Sequence, residues 1–493
     1  RPGMGPLLVL FFGLGVVVCA YAFVLLLQHR RARASDPPVV WSWLPYLGSI
    51  LPFGANASGF LEACRRRHGD AFTVTLAGKK TTFLMDAGGV QRFLRDTGKV
   101  AFGPVAEEVT VLAFGVSPKA VEQLRPLDGD IHRAYTTGLV RAQSLDELTR
   151  RALGALHRLL GPVEVLGAAS ADHQWRTRPL YALVREAVFF ATAESLFGPH
   201  MATRKTFEDF LAFDASFALL AAGISVRKSV AARERIADFF RADGYESLPG
   251  VSDFIALRAA IFRRGEADFG VDRTTQPADQ TAVFWASVSN TMPAAFWVLY
   301  YLIRTPAAHK AVLDELRSHG ALDAVTDKLE LTGEQIEAMQ SLDSVVTEAF
   351  RLTAGSITMR QVVEGPCYEL NLPTSQRVLT VPKGERVGIY PPAFHFDERI
   401  FPRPNEFQWD RFLGEAGKDL AKKVTPFGGG QSMCPGRFFA RREVKALALA
   451  ALARYDWQLV DPKVPELDKM RAGLGTYPPE RDVDVQVRLR EGR

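Results

Sequence analysis

The part of this chain whose residue types and spacing could do chemistry lies near its C-terminus, in Phe427-Gly428-Gly429-Gly430-Gln431-Ser432-Met433-Cys434-Pro435-Gly436. A lone cysteine sits there in a glycine-rich loop, directly before a helical pattern that begins at Arg437 and ends near Tyr455. The N–H groups and dipole at a helix N-terminus favour a thiolate, and a thiolate is a metal ligand. Glycines let backbone amides approach the sulfur and leave room for a flat macrocycle. One thiolate with no second ligand nearby suits haem iron better than a structural zinc site, which takes four protein ligands. The alternative is a buried cysteine beside an ordinary glycine turn. In a chain of this composition F-x-x-G-x-x-x-C-x-G arises by chance about 0.002 times, so the loop reads as a ligand loop.

A helix is expected over residues 278–304. Its apolar content is that of a membrane span, but Ser287, Ser289, Asn290, Thr291 and Pro293 cluster at its centre, where lipid would penalise them. It therefore reads as a buried core helix. Pro293 cannot donate to the Ser289 carbonyl, so the helix should open there. A freed carbonyl beside the Thr291 hydroxyl makes a groove fit for dioxygen and water.

Around these pieces the chain is mainly helical in texture, for example at 181–196 and 207–220. Small sheets are expected, with a hairpin from strands 71–76 and 81–85 around Ala77-Gly78-Lys79-Lys80. Residues 7–27 carry no charge and are long enough to cross a bilayer; His29, Arg30, Arg31 and Arg33 follow. This reads as a retained signal anchor (1–28) with the remainder in the cytosol. A basic, proline-rich linker (29–50) and one large catalytic domain (51–493) complete the expected organisation. A 47% hydrophobic, 23% charged composition excludes a disordered chain or a coiled-coil rod. The net charge of +5 is spread along the chain and gives no nucleic-acid footprint. Four scattered cysteines (Cys19, Cys64, Cys367, Cys434) with no CxxC pair exclude a disulfide scaffold.

The cysteine loop resembles that of the cytochromes P450, haem-thiolate proteins anchored to the endoplasmic reticulum. The resemblance implies the P450 fold and haem b as cofactor. Cys434 is then the axial iron ligand, Phe427, Gly430 and Gly436 shape its loop, and Arg360 pairs with a propionate. Glu348-Ala349-Phe350-Arg351 looks like the family's E-x-x-R, and the segment through Phe407-Gln408-Trp409-Asp410-Arg411-Phe412 supplies a second arginine. A buried structural Glu348–Arg351–Arg411 network is implied. Thr291 matches the threonine that helps deliver protons during oxygen activation; Asn290 stands where most members carry an acid and is expected to share that proton delivery. The chain also departs from the family at Ser432, and it has no W-x-x-x-R motif between 128 and 141.

Trp285-Ala286-Ser287-Val288-Ser289-Asn290-Thr291-Met292-Pro293-Ala294-Ala295-Phe296-Trp297 is similar to the sterol 7α-hydroxylase group, which acts on cholesterol and oxysterols. Sterol 12α-hydroxylase and prostacyclin synthase, an endoperoxide isomerase, are its cousins. The resemblance implies a monooxygenase that hydroxylates a sterol or oxysterol with O₂ and electrons from NADPH-cytochrome P450 reductase. It implies pocket walls that include Phe102, Phe284, Val288, Ile357 and Leu474. Arg437, Arg441 and Lys445, at i, i+4 and i+8, are expected to form a basic face for the reductase.

Overall fold

The computed structural model describes residues 16, 18–23, 33–44, 46–167, 173–319 and 331–490. The expected anchor therefore lies largely outside the described residues. The described chain divides into two compact units, one within Arg1–Val105 and Ile357–Phe394, the other within Ala106–Ser356 and His395–Arg493. The strands are β1 (Ala71–Leu76), β2 (Lys79–Leu84), β3 (Val100–Ala101), β4 (Arg176–Pro179), β5 (Thr358–Val362), β6 (Cys367–Leu372), β7 (Arg377–Pro382), β8 (Arg386–Ile389), β9 (Tyr455–Leu459) and β10 (Asp484–Leu489).

The first unit is built on a sheet of order β1-β2-β8-β5-β3, with the hairpin β6-β7 beside it in sequence. β1 and β2 form the expected hairpin with a shorter loop: Ala77 and Gly78 alone turn the chain, at φ 47° and 77°. Two successive left-handed residues make the type I′ turn, whose twist matches that of the flanking strands. Helix α1 (Ala57–His68) buries Leu61 and Cys64 in a cluster with Phe72, Val74 and Phe83. The proline-rich stretch before it does not stand clear of the body. Val39 bridges Thr73 and Gly48 bridges Leu76, so the stretch covers the open edge of β1.

The second unit is helical, and its helices include α2 (Ala142–Leu159), α3 (Leu180–Phe197), α4 (Arg204–Asp214), α5 (Phe217–Ala221), α6 (Thr275–Val288), α7 (Thr291–Arg304), α8 (Gln340–Thr353) and α9 (Arg437–Arg454). A sheet of order β4-β10-β9 belongs to it. α7 is the core helix, buried at every position from Thr291 to Ile303 and packed against α3, α8 and α9. Thr275–Arg304 is long and apolar enough to cross a membrane, but most of it is enclosed by protein, as its polar centre implied. The expected opening falls at Ser289 and Asn290, which form a turn between α6 and α7. The pattern at 207–220 is two helices instead of one, parted after Asp214.

One core group stands apart from its surroundings. Glu443 of α9 is buried, with one oxygen 2.7 Å from the Thr192 hydroxyl of α3 and the other without a hydrogen-bond partner among the described residues. Burial pushes its pKa up to about 8, so the folded protein holds it protonated at neutral pH. Unfolding releases that proton between the ordinary glutamate pKa and about 8, so this group's contribution to stability falls as pH rises through that window. Glu443→Gln should gain on the wild type by roughly 1.4 kcal/mol per pH unit across it, read from denaturant midpoints at pH 5 to 8.5. A constant difference would refute the assignment.

Candidate active site

Cys434 stands one turn before α9, held by its backbone N–H, which donates to the Phe427 carbonyl at 3.0 Å. Gly428 and Gly430 turn the loop at φ 73° and 69°, a region glycine enters without strain. The cysteine is exposed on one side, yet enough protein surrounds the sulfur for desolvation to raise its pKa. The N–H groups of Gly436 and Arg437 and the Arg437 charge pull it back down. A recessed sulfur with amides turned on it is prepared to bear charge once a cation binds. A Cβ added at Gly436 would come within 3.9 Å of the sulfur. Among the described residues no three His, Cys, Asp or Glu side chains gather around a common point. The donor set is thus a single sulfur in a glycine-lined recess, which fits a haem bound through one thiolate.

The loop is buttressed from α8. Glu348 and Arg351 have no exposed surface and make a two-bond pair at 2.7 and 2.9 Å. Arg411 adds a third bond to the carboxylate at 2.9 Å, and the Gln408 N–H a fourth at 3.1 Å. Arg351 also donates to the His395 and Pro404 carbonyls, and Arg411 to those of Pro402, Arg403 and Glu406. One buried carboxylate and two guanidiniums therefore tie α8 to a long irregular segment, which matches the expected network. His395, which carried no signal in the sequence, extends it. Burial, then the Arg351 charge, lowers its pKa to about 3, so the ring is neutral. Its Nε2 accepts the Thr425 N–H at 3.1 Å, which leaves Nδ1–H to face the Arg351 carbonyl at 3.2 Å. Phe350 of the same helix meets Phe427 edge-on at 5.6 Å.

At the break between α6 and α7, the Thr291 hydroxyl donates to the Ser287 carbonyl at 2.9 Å. Asn290 differs from expectation. Its amide donates to the Leu474 carbonyl and accepts the Thr476 N–H, at 3.2 and 3.1 Å, so both ends are spent on the C-terminal loop. That side chain holds the loop; it is not arranged to pass protons on. The adjacent Ser289 donates to Asp214 at 2.9 Å, and Asp214 is paired with Arg471. Asp214 gave no sequence signal.

Three further expectations are corrected or separated. Phe284 and Val288 are enclosed completely, with Phe284 among Phe189, Phe197 and Phe210 at 5.1–5.8 Å, so these two are core side chains and not pocket walls. Arg360, Phe102 and Ile357 belong to the first unit, where the Arg360 guanidinium lies 5.4 Å from the Phe102 ring centre. Arg437, Arg441 and Lys445 do not form a free basic face. Lys445 is buried against Asp343, Arg441 binds the same carboxylate, and Arg437 folds over Phe438 and donates to the Cys434 carbonyl. A spacing of four gives a common face but does not say what packs on it.

A family profile described as Cytochrome P450 matches residues 264–485. A mouse protein named Cytochrome P450 7B1 is 30% identical, over 100% of this chain and 98% of its own length. The chain belongs to the cytochrome P450 family. Its cofactor is accordingly haem, and it is a haem-thiolate monooxygenase. This P450 is also 30% identical to the Cholesterol 7-alpha-monooxygenase of Cricetulus griseus, over 98% of the chain and 99% of the relative. A human 7-alpha-hydroxycholest-4-en-3-one 12-alpha-hydroxylase is again 30% identical, over 99% and 98%. The P450 fold is shared with a solved structure, retinoic acid bound cyanobacterial CYP120A1, at a TM-score of 0.72 and 21% identity, over 92% of this chain and 99% of that one.

Glu348→Gln keeps the shape but leaves two buried guanidiniums without their counter-charge. It should cost roughly 3–5 kcal/mol in unfolding free energy and most of the haem content of purified protein. Wild-type haem loading in this variant would contradict the buttress.

Proposed function

We propose that this P450 hydroxylates a sterol or oxysterol at the 7α position, in the membrane of the endoplasmic reticulum. Supporting the substrate class are the full-length identity to a cholesterol 7-alpha-monooxygenase and the resemblance of the 285–297 sequence to that group. The identity to a 12-alpha-hydroxylase makes C12 the second reading. The net reaction consumes O₂, NADPH and a proton and yields one sterol hydroxyl, water and NADP⁺. Haem bound through Cys434 supplies the oxygen activation that allows insertion into an unactivated C–H bond.

The chain's own residues do the rest. The Gly436 and Arg437 N–H groups hold negative charge on the Cys434 sulfur, while Phe427, Gly430 and Gly436 fix the loop that carries it. By its likeness to the family's motif, Arg360 would pair with a haem propionate. Thr291 relays protons at its hydroxyl, for which the Ser287 carbonyl is the resting acceptor. Asn290 holds Leu474 and Thr476 in place. Leu474 offers apolar surface to a flat substrate.

Electrons come from an NADPH-dependent reductase. Membrane attachment is supported by the uncharged run at 7–27 with its following arginines. Trp41, Trp43 and Tyr46 are exposed soon after it, and such side chains favour the headgroup region.

The carrying observation is the Cys434 loop together with full-length identity to a sterol 7α-hydroxylase. The test is to incubate the membrane-bound protein with reductase, NADPH, cholesterol, side-chain oxysterols and a 7α-hydroxylated sterol. Mass spectrometry against standards then locates the new hydroxyl. A 7α-hydroxyl on one of the first two classes is expected. A 12α-hydroxyl on the third favours the second reading. No sterol product from haem-loaded protein would sink the sterol assignment and point to an endoperoxide substrate. On the sterol that is turned over, Thr291→Ala should cut product per NADPH by about tenfold; unchanged coupling would remove its role.

A further inference from the structure

Asp214 is the last residue of α4, where the helix dipole disfavours a carboxylate, so helix stability does not account for it. Its side chain is nearly buried and collects four donors. Trp285 Nε1 donates to Oδ1 at 2.8 Å, Ser289 Oγ donates to the same oxygen at 2.9 Å, and two nitrogens of Arg471 bind the carboxylate. Arg471 also donates to Ser289 Oγ at 2.8 Å. The Trp285 ring lies flat on Phe217 of α5 at 3.6 Å, which holds the helix after Asp214 on the same anchor. On the next residue, the Asn290 amide spans Leu474 and Thr476. The C-terminal loop that supplies these partners is itself fixed, with Gly473 donating to the Gly355 carbonyl and Gly355 to that of Gly475, at 2.7 and 2.6 Å.

Both residues of the helix break are thus bolted to one loop, Ser289 through a buried ion pair and Asn290 through its amide. Thr291 is the next residue along. Burying an ion pair brings little net stability, because desolvation offsets the attraction. What it does provide is a fixed direction, since a carboxylate with four donors has no other orientation to adopt.

We propose that Asp214, held by Arg471, is a positioning residue for oxygen activation: through Ser289 it sets the helix break and hence the line along which the Thr291 hydroxyl delivers protons. This rests on the role given to Thr291 above. It also accounts for a P450 working with Asn290 in place of the usual acid. The asparagine and the ion pair hold the break together, so proton delivery depends on alignment of the threonine and not on a neighbouring acid.

The test uses the full chain with reductase and the sterol that the wild type hydroxylates, comparing Asp214→Asn, Ser289→Ala, Arg471→Lys and Thr291→Ala. Each is also driven by cumene hydroperoxide, which supplies the oxygen atom and leaves as its alcohol, so no NADPH, O₂ or delivered proton is needed. Asp214→Asn should keep the wild-type reduced–CO spectrum, lose about tenfold in product per NADPH with the balance released as hydrogen peroxide, and stay within twofold in the hydroperoxide reaction. Coupling within twofold of wild type would overturn the proposal. So would an equal loss in both reactions, which marks general damage. If Asp214→Asn does not load haem, Ser289→Ala and Arg471→Lys decide: a several-fold loss of coupling alone supports the clamp, and normal coupling in both overturns it. Normal coupling in Thr291→Ala defeats the reading of the threonine, whereas loss there with none in the other three defeats the clamp alone.

Discussion

A thiolate in a desolvated recess is unstable unless its surroundings are fixed before the cation arrives, and most of the second unit can be understood from that constraint. Desolvation pushes the Cys434 pKa up, while two backbone N–H groups at the start of α9 and the Arg437 charge oppose it. Amides act this way only if the loop cannot move. The loop is held at Thr425 by His395, at Phe427 by Phe350, and through both by α8. Behind them lies Glu348, with no exposed surface and two arginines on it. A buried carboxylate so paired is poor value as a source of stability but strict in geometry, which is what a ligand loop requires.

The break in the central helix depends on a second fixed point. Pro293 removes one donor from the central helix, and the helix opens at Ser289 and Asn290. An opened helix inside a core is free to settle in more than one way. Here each of the two residues is tied by side chain to the loop at 471–476, and Thr291 inherits its position from them.

What was legible in the sequence follows a physical pattern. The cysteine loop, the E-x-x-R pair, the proline-opened helix and the β1–β2 hairpin are written in residues a few positions apart, so spacing carries them. Asp214 and Arg471 are 257 residues apart, and neither type is rare, so only the fold brings them together. His395 was silent for the same reason. The face of α9 misled because i, i+4 spacing aligns Arg441 and Lys445 without revealing Asp343 across from them. Phe284 and Val288 misled because the wall of a pocket and the wall of a core use the same apolar residues. Asn290 was noticed for its chemistry, while its use is mechanical.

Oxygen activation in this protein depends on Cys434 binding the haem iron as a thiolate. The direct measurement is the reduced–CO difference spectrum of the full-length protein beside that of Cys434→Ser, with total haem quantified in both. The wild type should give the strongly red-shifted band of a thiolate-ligated iron carbonyl, and the serine variant should lose that band entirely. The same band in both proteins, or a nitrogen-ligated band in the wild type, would contradict the account.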